Sequence, residues 1–366
     1  MKEGWEYKTI KECCTELFAG GDVPKPDVSP NKTNYFTVPI YTNGVENEGL
    51  YGYTSNARVY EPAVTISARG TIGATFRRFT PFYPAIRLIT AVPNKDILSI
   101  NYLYYALKTL TVDNSGTSIP QLTIPNIKKI VLPIPPLSEQ QSIVDYLDSA
   151  FAKIDAMKAN AEKALNEAKA LFQASLKEML EPKEGWEEKK FGDVCWYNKN
   201  NGLHKGTRYV GMEHIEQGTG NLLYTISSNE VLSNTFAFNK GDVLYGRLRP
   251  YLKKVIVADF DGCCSTEIFP IQSKRIIASF LMYWFLTDEI TNKINATCAG
   301  CRMPRGNMND VLKFNISYPP LSEQQSIVAT LDSLKSKVDR LKANYEKISK
   351  ECDALKQALL KEVFEG

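Results

Sequence analysis

Histidine is scarce in this sequence, since His204 and His214 are the only two among 366 residues. That scarcity argues against a metal site or a catalytic triad built on histidine. The chain also lacks a phosphate-binding P-loop, the Asn-Pro-Pro-Tyr and Asp-Pro-Pro-Tyr motifs of amino-methyltransferases, and a strand followed by a glycine-rich methyl-donor loop. No acidic residues have the spacing of a nuclease cluster. We therefore expect no catalytic residue, no metal and no cofactor bound by this chain.

Long hydrophobic runs are absent as well. No stretch approaches the roughly 18 to 20 apolar residues of a membrane span, and residues 1–5 do not resemble a signal peptide. Eight cysteines in a chain of this size do not indicate a disulfide framework, and the adjacent pairs at 13–14 and 263–264 would bridge poorly. The Cys298-to-Cys301 spacing has no second cysteine or histidine pair at zinc-finger distance. We expect a reduced, cytoplasmic protein without a membrane segment.

A ten-residue stretch occurs twice without a change. Residues 135–144, Pro-Pro-Leu-Ser-Glu-Gln-Gln-Ser-Ile-Val, reappear as residues 319–328. Each copy is typical of a helix start, because the prolines block an earlier turn. Ser138 is predicted to cap the first helix together with Gln141, and Ser322 is predicted to cap the second together with Gln325.

The duplication extends beyond these helix starts. The opening Gly4-Trp5-Glu6 is echoed by Gly185-Trp186-Glu187. We therefore predict that the chain consists of two halves in tandem, each with a globular segment and a long helix. The predicted boundaries are 1–136 and 182–320 for the globular segments, and 137–181 and 321–366 for the helices.

The two long segments carry a heptad pattern of apolar residues. Such a pattern, sustained over about four heptads, indicates a coiled coil. The predicted seam of the second helix is Leu331, Leu334, Val338, Leu341, Tyr345, Ile348, Cys352, Leu355 and Leu359. The predicted seam of the first is Leu147, Ala150, Ile154, Met157, Ala161, Ala164, Ala168 and Leu171, with Phe151, Leu165 and Phe172 beside it. Small residues facing large ones favour packing of the helices on each other, although each stripe could instead face its own globular domain.

The globular segments have a different periodicity. Short apolar, β-branched runs predict strands at 63–67, 85–89, 242–245 and 254–257, and each segment has one predicted helix, at 99–108 and 277–293. We therefore predict an α+β fold. Residues 1–136 and 182–320 each carry a net charge of +3, whereas the helices carry −3 and 0. A small positive excess on the globular segments permits nucleic-acid binding without establishing it.

Arginine-rich loops follow corresponding strands of the two halves. The first is the Ser67–Gly73 loop with its Arg-Gly-Thr turn, and the second is Tyr245–Lys254. Arginine can form two hydrogen bonds to guanine, glycine permits close approach, and tyrosine offers a stacking face, although either loop could be an ordinary charged loop. Two later loops, 113–121 and 299–307, are also rich in glycine and hydrogen-bonding side chains. The candidate DNA-contacting residues are Arg69, Gly70, Thr71, Arg77, Arg78, Ser118 and Gln121 in the first half, and Arg247, Arg249, Tyr251, Lys253, Arg302, Arg305 and Asn307 in the second.

These motifs together resemble the DNA-specificity subunit of type I restriction-modification systems. The doubled helix start, the Gly-Trp-Glu openings, residues 69–73, residues 241–250 and the loop 300–307 all carry the resemblance, which covers the whole chain. Cys301 departs from the small hydroxyl residue or glycine expected at its position, which leaves the role of that loop open.

The resemblance implies a role as well as a fold. Each globular segment would be a target-recognition domain that reads one half of a bipartite site in double-stranded DNA. The two helices would pack antiparallel, set the unread gap and dock two modification subunits, through residues including Leu147, Ile154, Met157, Leu171, Leu331, Leu334, Val338, Leu341, Tyr345, Ile348 and Leu355. S-adenosylmethionine, ATP and Mg would be bound by the modification and restriction subunits, so the chain itself would be non-catalytic.

Two other classes of function stay open at this point. A coiled-coil scaffold with protein-binding heads would show no affinity for DNA at low salt. A self-contained methyltransferase would bind S-adenosylmethionine alone, and a nuclease would cut DNA with a metal. The sequence does not give the DNA target.

Overall fold

The structure is a computed structural model that describes residues 4–109, 122–298 and 302–364. Two compact units make up the chain, and each combines one globular segment with parts of both long helices. The first unit is Met1–Asn160 with Glu346–Gly366, and the second is Ala161–Tyr345.

The first unit is built from short strands, small helices and segments of the two long helices. Its elements are β1 (Glu6–Thr9), α1 (Ile10–Cys13), β2 (Cys14–Ala19), β3 (Val38–Tyr41), β4 (Leu50–Thr54), β5 (Ala63–Ile66), β6 (Thr75–Arg78), β7 (Tyr83–Pro84), β8 (Ile89–Pro93), α2 (Ile100–Thr109), α3 (Ile124–Lys128), β9 (Val131–Ile134) and the start of α4 (Leu137–Leu180). An antiparallel sheet has the order β2-β8-β5-β6, and a second sheet has the order β4-β3-β7.

The second unit contains a sheet with the same kind of order. Its elements are the end of α4, β10 (Glu187–Lys190), α5 (Phe191–Val194), β11 (Cys195–Tyr197), β12 (Asn201–Gly202), β13 (Arg208–Val210), β14 (Ile226–Ser227), β15 (Thr235–Phe238), β16 (Val243–Gly246), β17 (Val255–Val257), β18 (Gly262–Ser265), β19 (Ile268–Ser273), α6 (Ala278–Leu286), α7 (Asp288–Ala296), α8 (Met308–Val311), β20 (Asn315–Tyr318) and the start of α9 (Leu321–Phe364). The sheet β11-β19-β16-β17 corresponds to β2-β8-β5-β6, while the sheet β12-β15-β18-β13-β14 is larger than its counterpart.

Each Gly-Trp-Glu opening leads into a strand that pairs with the strand before the repeated helix start. Strand β1 runs antiparallel to β9, with Glu6 opposite Ile134. Strand β10 runs antiparallel to β20, with Glu187 opposite Tyr318. The two repeated motifs of each half are therefore joined in space.

Both long helices contribute to the core of each unit. In the first unit, Phe151 of α4 and Leu360 of α9 belong to one buried cluster, and the Sγ of Cys352 lies 3.7 Å from the carbonyl oxygen of Ile154. Lys158 also pairs with Asp353 at 3.3 Å. The start of α4 shares a core with the end of α9 in the first unit, and the end of α4 shares a core with the start of α9 in the second, so the helices run antiparallel. The predicted α+β fold with tandem domains and an antiparallel helix pair is confirmed.

The buried seam differs in register from the predicted one. Leu147, Ile154 and Leu331 are buried as predicted, and a further set is half-buried, namely Leu334, Val338, Leu341, Tyr345 and Ile348. Met157, Leu171 and Leu355 are exposed, so their placement in the helix pair was wrong. Their neighbours Lys158, Phe172 and Lys356 are half-buried or buried instead.

The predicted cap of each long helix was also wrong. Helix α4 begins at Leu137, and the N–H groups of Glu139 and Gln140 donate to the carbonyl of Pro136, both at 2.9 Å. Ser138 therefore lies inside the first turn. The side chain of Gln141 donates to Asp145 at 2.7 Å and does not reach back. Helix α9 begins in the same way at Leu321, so its predicted cap, Ser322, also lies inside the first turn.

Two predicted elements in the globular segments were wrong in extent. The predicted strand at 85–89 is mostly a turn, because Ile86 and Arg87 adopt φ values of +52° and +60°, and the strand begins only at Ile89. The predicted helix at 277–293 is two helices. Thr287 has an extended backbone and accepts a hydrogen bond from the N–H of Ile290, which starts the second helix.

Candidate nucleic-acid interface

A buried glutamine fastens each globular segment to its helix start. The Gln140 amide donates to the carbonyls of Ile97 and Pro135 at 2.8 and 2.9 Å, and its oxygen accepts from the N–H of Ser99 at 2.9 Å. Gln140 is fully buried. Both donors of the amide and its oxygen bond to the backbone just before α2 and α4, so this side chain fixes the domain relative to the helix.

Gln324 repeats this arrangement in the second unit. Its amide donates to the carbonyls of Arg275 and Pro319 at 3.1 and 2.9 Å, and its oxygen accepts from the N–H of Ile277 at 2.9 Å. The exact repetition of the sequence was the only signal of this role, and it was not recognised.

Two further side-chain pairs strengthen the same junctions. Trp5 Nε1 donates to Glu139 at 3.0 Å, and Trp186 Nε1 donates to Glu323 at 3.2 Å. These bonds join the Gly-Trp-Glu opening to the repeated helix start in the same way in both units.

Both long helices contain the sequence Leu-Asp-Ser, at residues 147–149 and 331–333, and a tyrosine from each domain helix bonds to it. Tyr105 donates to Asp148, and Tyr283 donates to Asp332 at 2.5 Å. Burial and the bond to the carboxylate raise the pKa of each tyrosine above its usual range, so both remain protonated donors at neutral pH.

The structure brings together the two predicted loops of the second unit. The N–H of Arg249 donates to the carbonyl of Pro304 at 2.8 Å, and the N–H of Gly306 donates to the carbonyl of Arg247 at 2.9 Å. Leu248 and Arg305 form an isolated antiparallel bridge. The loops around 247 and 305 are therefore one surface, although they are far apart in the sequence.

Glu267, which the sequence did not single out, lies between two of the predicted arginines. Its Oε2 accepts from Nε of Arg247 at 3.0 Å, and its Oε1 accepts from Nε of Arg305 at 2.9 Å. The side chains of Arg247 and Arg305 are 32% and 44% exposed. We call Arg247, Glu267 and Arg305 the arginine fork.

The remaining candidates of the Tyr245–Lys254 loop occupy different environments. Arg249 and Lys253 have φ values of +52° and +47° and flank a turn at Pro250–Leu252. Arg249 and Tyr251 are exposed, whereas Lys253 pairs with Asp288 at 2.6 Å and is largely covered. Arg249 and Tyr251 are therefore open to solvent, whereas Lys253 anchors the loop to α7.

Asn307 caps a helix, while Arg302 is exposed. The Asn307 side chain accepts from the N–H of Asn309 at 3.1 Å and donates to Asp310 at 2.7 Å, which makes it the N-cap of α8. Such a cap commonly contributes about 1 kcal/mol to stability. A DNA contact by either residue stays a prediction.

The Arg69-Gly70-Thr71 turn of the first unit is an exposed loop closed at its base. The N–H of Ser67 donates to the carbonyl of Ala74 at 2.9 Å, and Gly70 has a φ of +69°, which favours glycine. Arg69, Gly70 and Thr71 are all exposed. The turn follows β5, just as the Arg247 loop follows β16, so corresponding strands carry the two loops.

Arg78 is not on the surface of the first unit. Its side chain is 3% exposed, it pairs with Glu48 at 2.9 Å, and its guanidinium lies 3.5 Å from the ring centroid of Tyr41. The prediction of a DNA contact is therefore corrected, because the guanidinium is used within the domain.

Arg77 lies against α2. It donates to Asn101 at 2.9 Å and lies over the ring of Tyr104 at 4.6 Å. Two further candidates, Ser118 and Gln121, lie outside the described residues. Their role stays a prediction.

Metal sites, membrane spans and reactive thiols can each be examined in the described residues. Within residues 4–109, 122–298 and 302–364, no group of His, Cys, Asp and Glu side chains could hold a metal ion. No helix in that part of the chain has the length and apolarity to cross a membrane. Burial raises the pKa of the Cys14 and Cys195 thiols to about 12, so neither is a thiolate nucleophile at neutral pH.

A segment of the larger sheet region reaches helix α9 in the second unit. This segment, residues 211–225, connects β13 to β14. Glu216 pairs with Lys342, and Asn221 bonds to both Lys335 and Asp339, the latter at 3.3 Å. The 211–225 segment therefore ties the globular segment to the helix by polar contacts.

We expect Glu216→Gln to lower the stability of the second unit by about 1 kcal/mol at pH 7. Burial opposes ionisation of Glu216, but hydrogen bonds from Lys342, Asn221 and Thr219 hold its pKa below the usual value. A lowered native pKa gives stabilisation that is present above the unfolded-state pKa of about 4.3, and that is lost as the pH falls through the native pKa. Urea unfolding at several pH values measures this loss in the native chain. The exposed Glu230→Gln is the control and should leave the pH profile unchanged.

Comparison with known proteins agrees with this architecture. The Escherichia coli type I restriction enzyme EcoDI specificity subunit is 26% identical over an alignment of 381 positions, gaps included, which covers 90% of this chain and 85% of that protein. A putative type I specificity subunit of Mycoplasma pneumoniae is 34% identical over 151 residues, 41% of each chain.

Solved structures share the fold at low sequence identity. One solved structure is described as the structural basis of complex assembly and conformational transition of the type I R-M system. A chain of that structure has a TM-score of 0.74 at 18% identity, and the match covers 99% of this chain and 97% of that one. The HsdS subunit from Thermoanaerobacter tengcongensis has a TM-score of 0.57 at 18% identity, with 100% and 98% covered.

Both halves match one family over most of their length. The family described as type I restriction modification DNA specificity domain matches residues 2–167 and again residues 183–350. The two matches correspond to the two repeats that the sequence and the fold show. This chain therefore belongs to the type I restriction-modification DNA specificity family.

Proposed function

We propose that this chain is the non-catalytic DNA-specificity subunit of a cytoplasmic type I restriction-modification complex. Each globular domain reads one half of a bipartite site in double-stranded DNA. The observation that carries this proposal is that the two units share the same junctions between domain and helix but differ in their exposed loops. Gln140 and Gln324 fasten the two domains to their helices through the same bonds, whereas the exposed loops that follow β5 and β16 differ in sequence.

The long helices suit the roles of spacer and docking platform. Helices α4 and α9 each span 44 residues, or about 66 Å at 1.5 Å per residue. Met157, Leu171 and Leu355 are large apolar side chains on their exposed faces. These exposed side chains are available for contact with a partner. We assign this partner as the two modification subunits, one for each domain.

The chemistry belongs to the partner subunits in this proposal. Modification subunits would carry S-adenosylmethionine and methylate adenine, and restriction subunits would use ATP and Mg to move and cut DNA. The present chain contributes the DNA address through its loops.

Methylome sequencing tests the proposal. A methylation-free host expresses this chain with its cognate modification subunit, and the control host expresses the modification subunit alone. We expect a split adenine-methylated motif only when this chain is present. Replacing residues 182–320 by the matching segment of another specificity subunit should change one half of the motif. An assembled complex that methylates no motif contradicts the proposal and favours a protein-binding scaffold.

A further inference from the structure

The arginine fork has a geometry that an ordinary surface ion pair lacks. One carboxylate holds two arginines from different loops, with a separate oxygen for each Nε. The backbone adds to this, because the N–H of Arg247 donates to the carbonyl of Glu267 at 2.9 Å. The N–H of Glu267 in turn donates to the Ser265 hydroxyl at 3.2 Å. Three loops are thereby fixed at one point.

Each guanidinium keeps its outer edge for another acceptor. An arginine has five N–H donors, and the bond from Nε uses one of them. Within residues 4–109, 122–298 and 302–364, the hydrogen bonds of the Arg247 and Arg305 guanidiniums are those from Nε to Glu267. Both side chains are partly exposed, and no residue of the described ranges bonds to the paired Nη groups, so these are the donors we assign to a ligand.

The acceptor that fits such an edge offers two lone pairs side by side. In duplex DNA these are the O6 and N7 atoms of guanine in the major groove, or two oxygens of a phosphate. The central carboxylate distinguishes the two. A negative charge beside a phosphate weakens attraction to the backbone, whereas it costs little beside guanine and fixes the direction of each donor. A fixed direction matters for a base edge far more than for a phosphate.

We infer that Glu267 is a positioning residue that holds Arg247 and Arg305 for guanine recognition in the half-site read by the second domain. This inference rests on the proposed function and names the base chemistry of that half-site. We therefore expect guanine in the half-site that residues 182–320 recognise. Both arginines share one carboxylate, so the base pairs they contact are close neighbours.

The test uses the full chain assembled with its modification subunit, on duplexes built from the motif that the methylome reveals. Every base pair of the second half-site is changed in turn, and binding is measured by competition. We expect the native complex to prefer guanine by roughly 5- to 150-fold at the contacted position. Substituting 7-deazaguanine, which lacks the N7 acceptor, should remove much of that preference. Arg247→Ala and Arg305→Ala should each make binding insensitive to this change at the position that the replaced arginine contacts.

Glu267→Gln separates positioning from simple electrostatics. The amide has one acceptor oxygen, so it can hold one arginine and frees the other. We expect at least a tenfold loss of preference for guanine. If the arginines met phosphates instead, removing the negative charge would tighten binding to all sequences alike and keep the preference, which would overturn the inference. Glu187→Gln is the matched control, because it breaks the ion pair of Arg275, at 3.2 Å, elsewhere in the same unit.

The outcomes distinguish the inference from the function on which it rests. A native complex that binds and methylates a bipartite motif, but whose second half-site has no guanine or tolerates 7-deazaguanine, contradicts only the inference. A native complex with no sequence-specific binding contradicts the proposed function and the inference together. The 7-deazaguanine measurement needs no variant, so it tests guanine recognition even where a substitution at Glu267 prevents folding.

Discussion

Replacing Gln324 by alanine is expected to lower the free energy of unfolding of the second unit by about 3–5 kcal/mol. The buried amide bonds to the backbone of Arg275, Ile277 and Pro319. Alanine leaves two carbonyls and one N–H without these partners, and each loss costs about 1–3 kcal/mol. The effect is large because one side chain closes the junction between the helix start and the segment that precedes α6.

Urea unfolding followed by tryptophan fluorescence measures this loss. Three of the four tryptophans, at positions 186, 196 and 284, belong to the second unit. Gln325→Ala is the control, because Gln325 is exposed and next in the sequence. Gln324→Glu keeps the shape but replaces two donors by acceptors, so we expect it to be as damaging as alanine at pH 7. A Gln324→Ala chain as stable as the control would show that the amide does not hold the junction.

Phe172→Ala should cost about 3–5 kcal/mol, whereas Leu171→Ala should stay within about 0.5 kcal/mol of the native chain. Phe172 is 7% exposed and lies in the core of the second unit, 6.2 Å from the ring of Tyr283, whereas Leu171 is 59% exposed. Both are large apolar residues on α4, and only one lies on the buried face. The comparison therefore measures the register of the helix seam directly.

The same unfolding experiment serves for this pair. Equal losses at 171 and 172 would contradict the register, and a larger loss at Leu171 would restore the predicted one. The assembled complex adds a second measurement. We expect Leu171→Ala to weaken association with the modification subunit while leaving the unfolding of the free chain unchanged.

The frame of the protein could be predicted because it is duplicated. Residues 135–144 and 319–328 are identical, so two equivalent helix starts and two tandem domains followed from the sequence. The α+β class followed from short strands and one helical region in each half. These features depend on local periodicity and repetition, which a single sequence displays.

The phase of the helix seam could not be predicted from periodicity alone. Helix α4 has apolar residues at adjacent positions, such as 150 and 151 or 171 and 172, and these fit two heptad registers. Which register is buried depends on the opposing surface. In the second unit that surface includes Tyr283 and Leu331, which the sequence of α4 does not reveal.

The arginines show the same limit. Arg77 and Arg78 are adjacent on β6, and strand geometry sends successive side chains to opposite faces. The sequence does not say which of the two arginines faces α2 and which faces Glu48, and only the fold shows that Arg78 is the one that pairs with Glu48. Glu267 lies 20 and 38 residues from its two partners, so only the fold brings the arginine fork together.

The core of the first unit includes residues from both ends of the chain, so this unit cannot finish folding when its globular segment has been synthesised. Its globular segment and the start of α4 are made first, yet Leu360 and Phe364 of α9 complete the cluster around Leu147 and Phe151. Those residues leave the ribosome only after the whole second unit, about 10–40 s later for roughly 200 residues at 5–20 residues per second. During that interval the apolar surface that they cover is open to solvent. The first unit to be synthesised is thus the last to close its core.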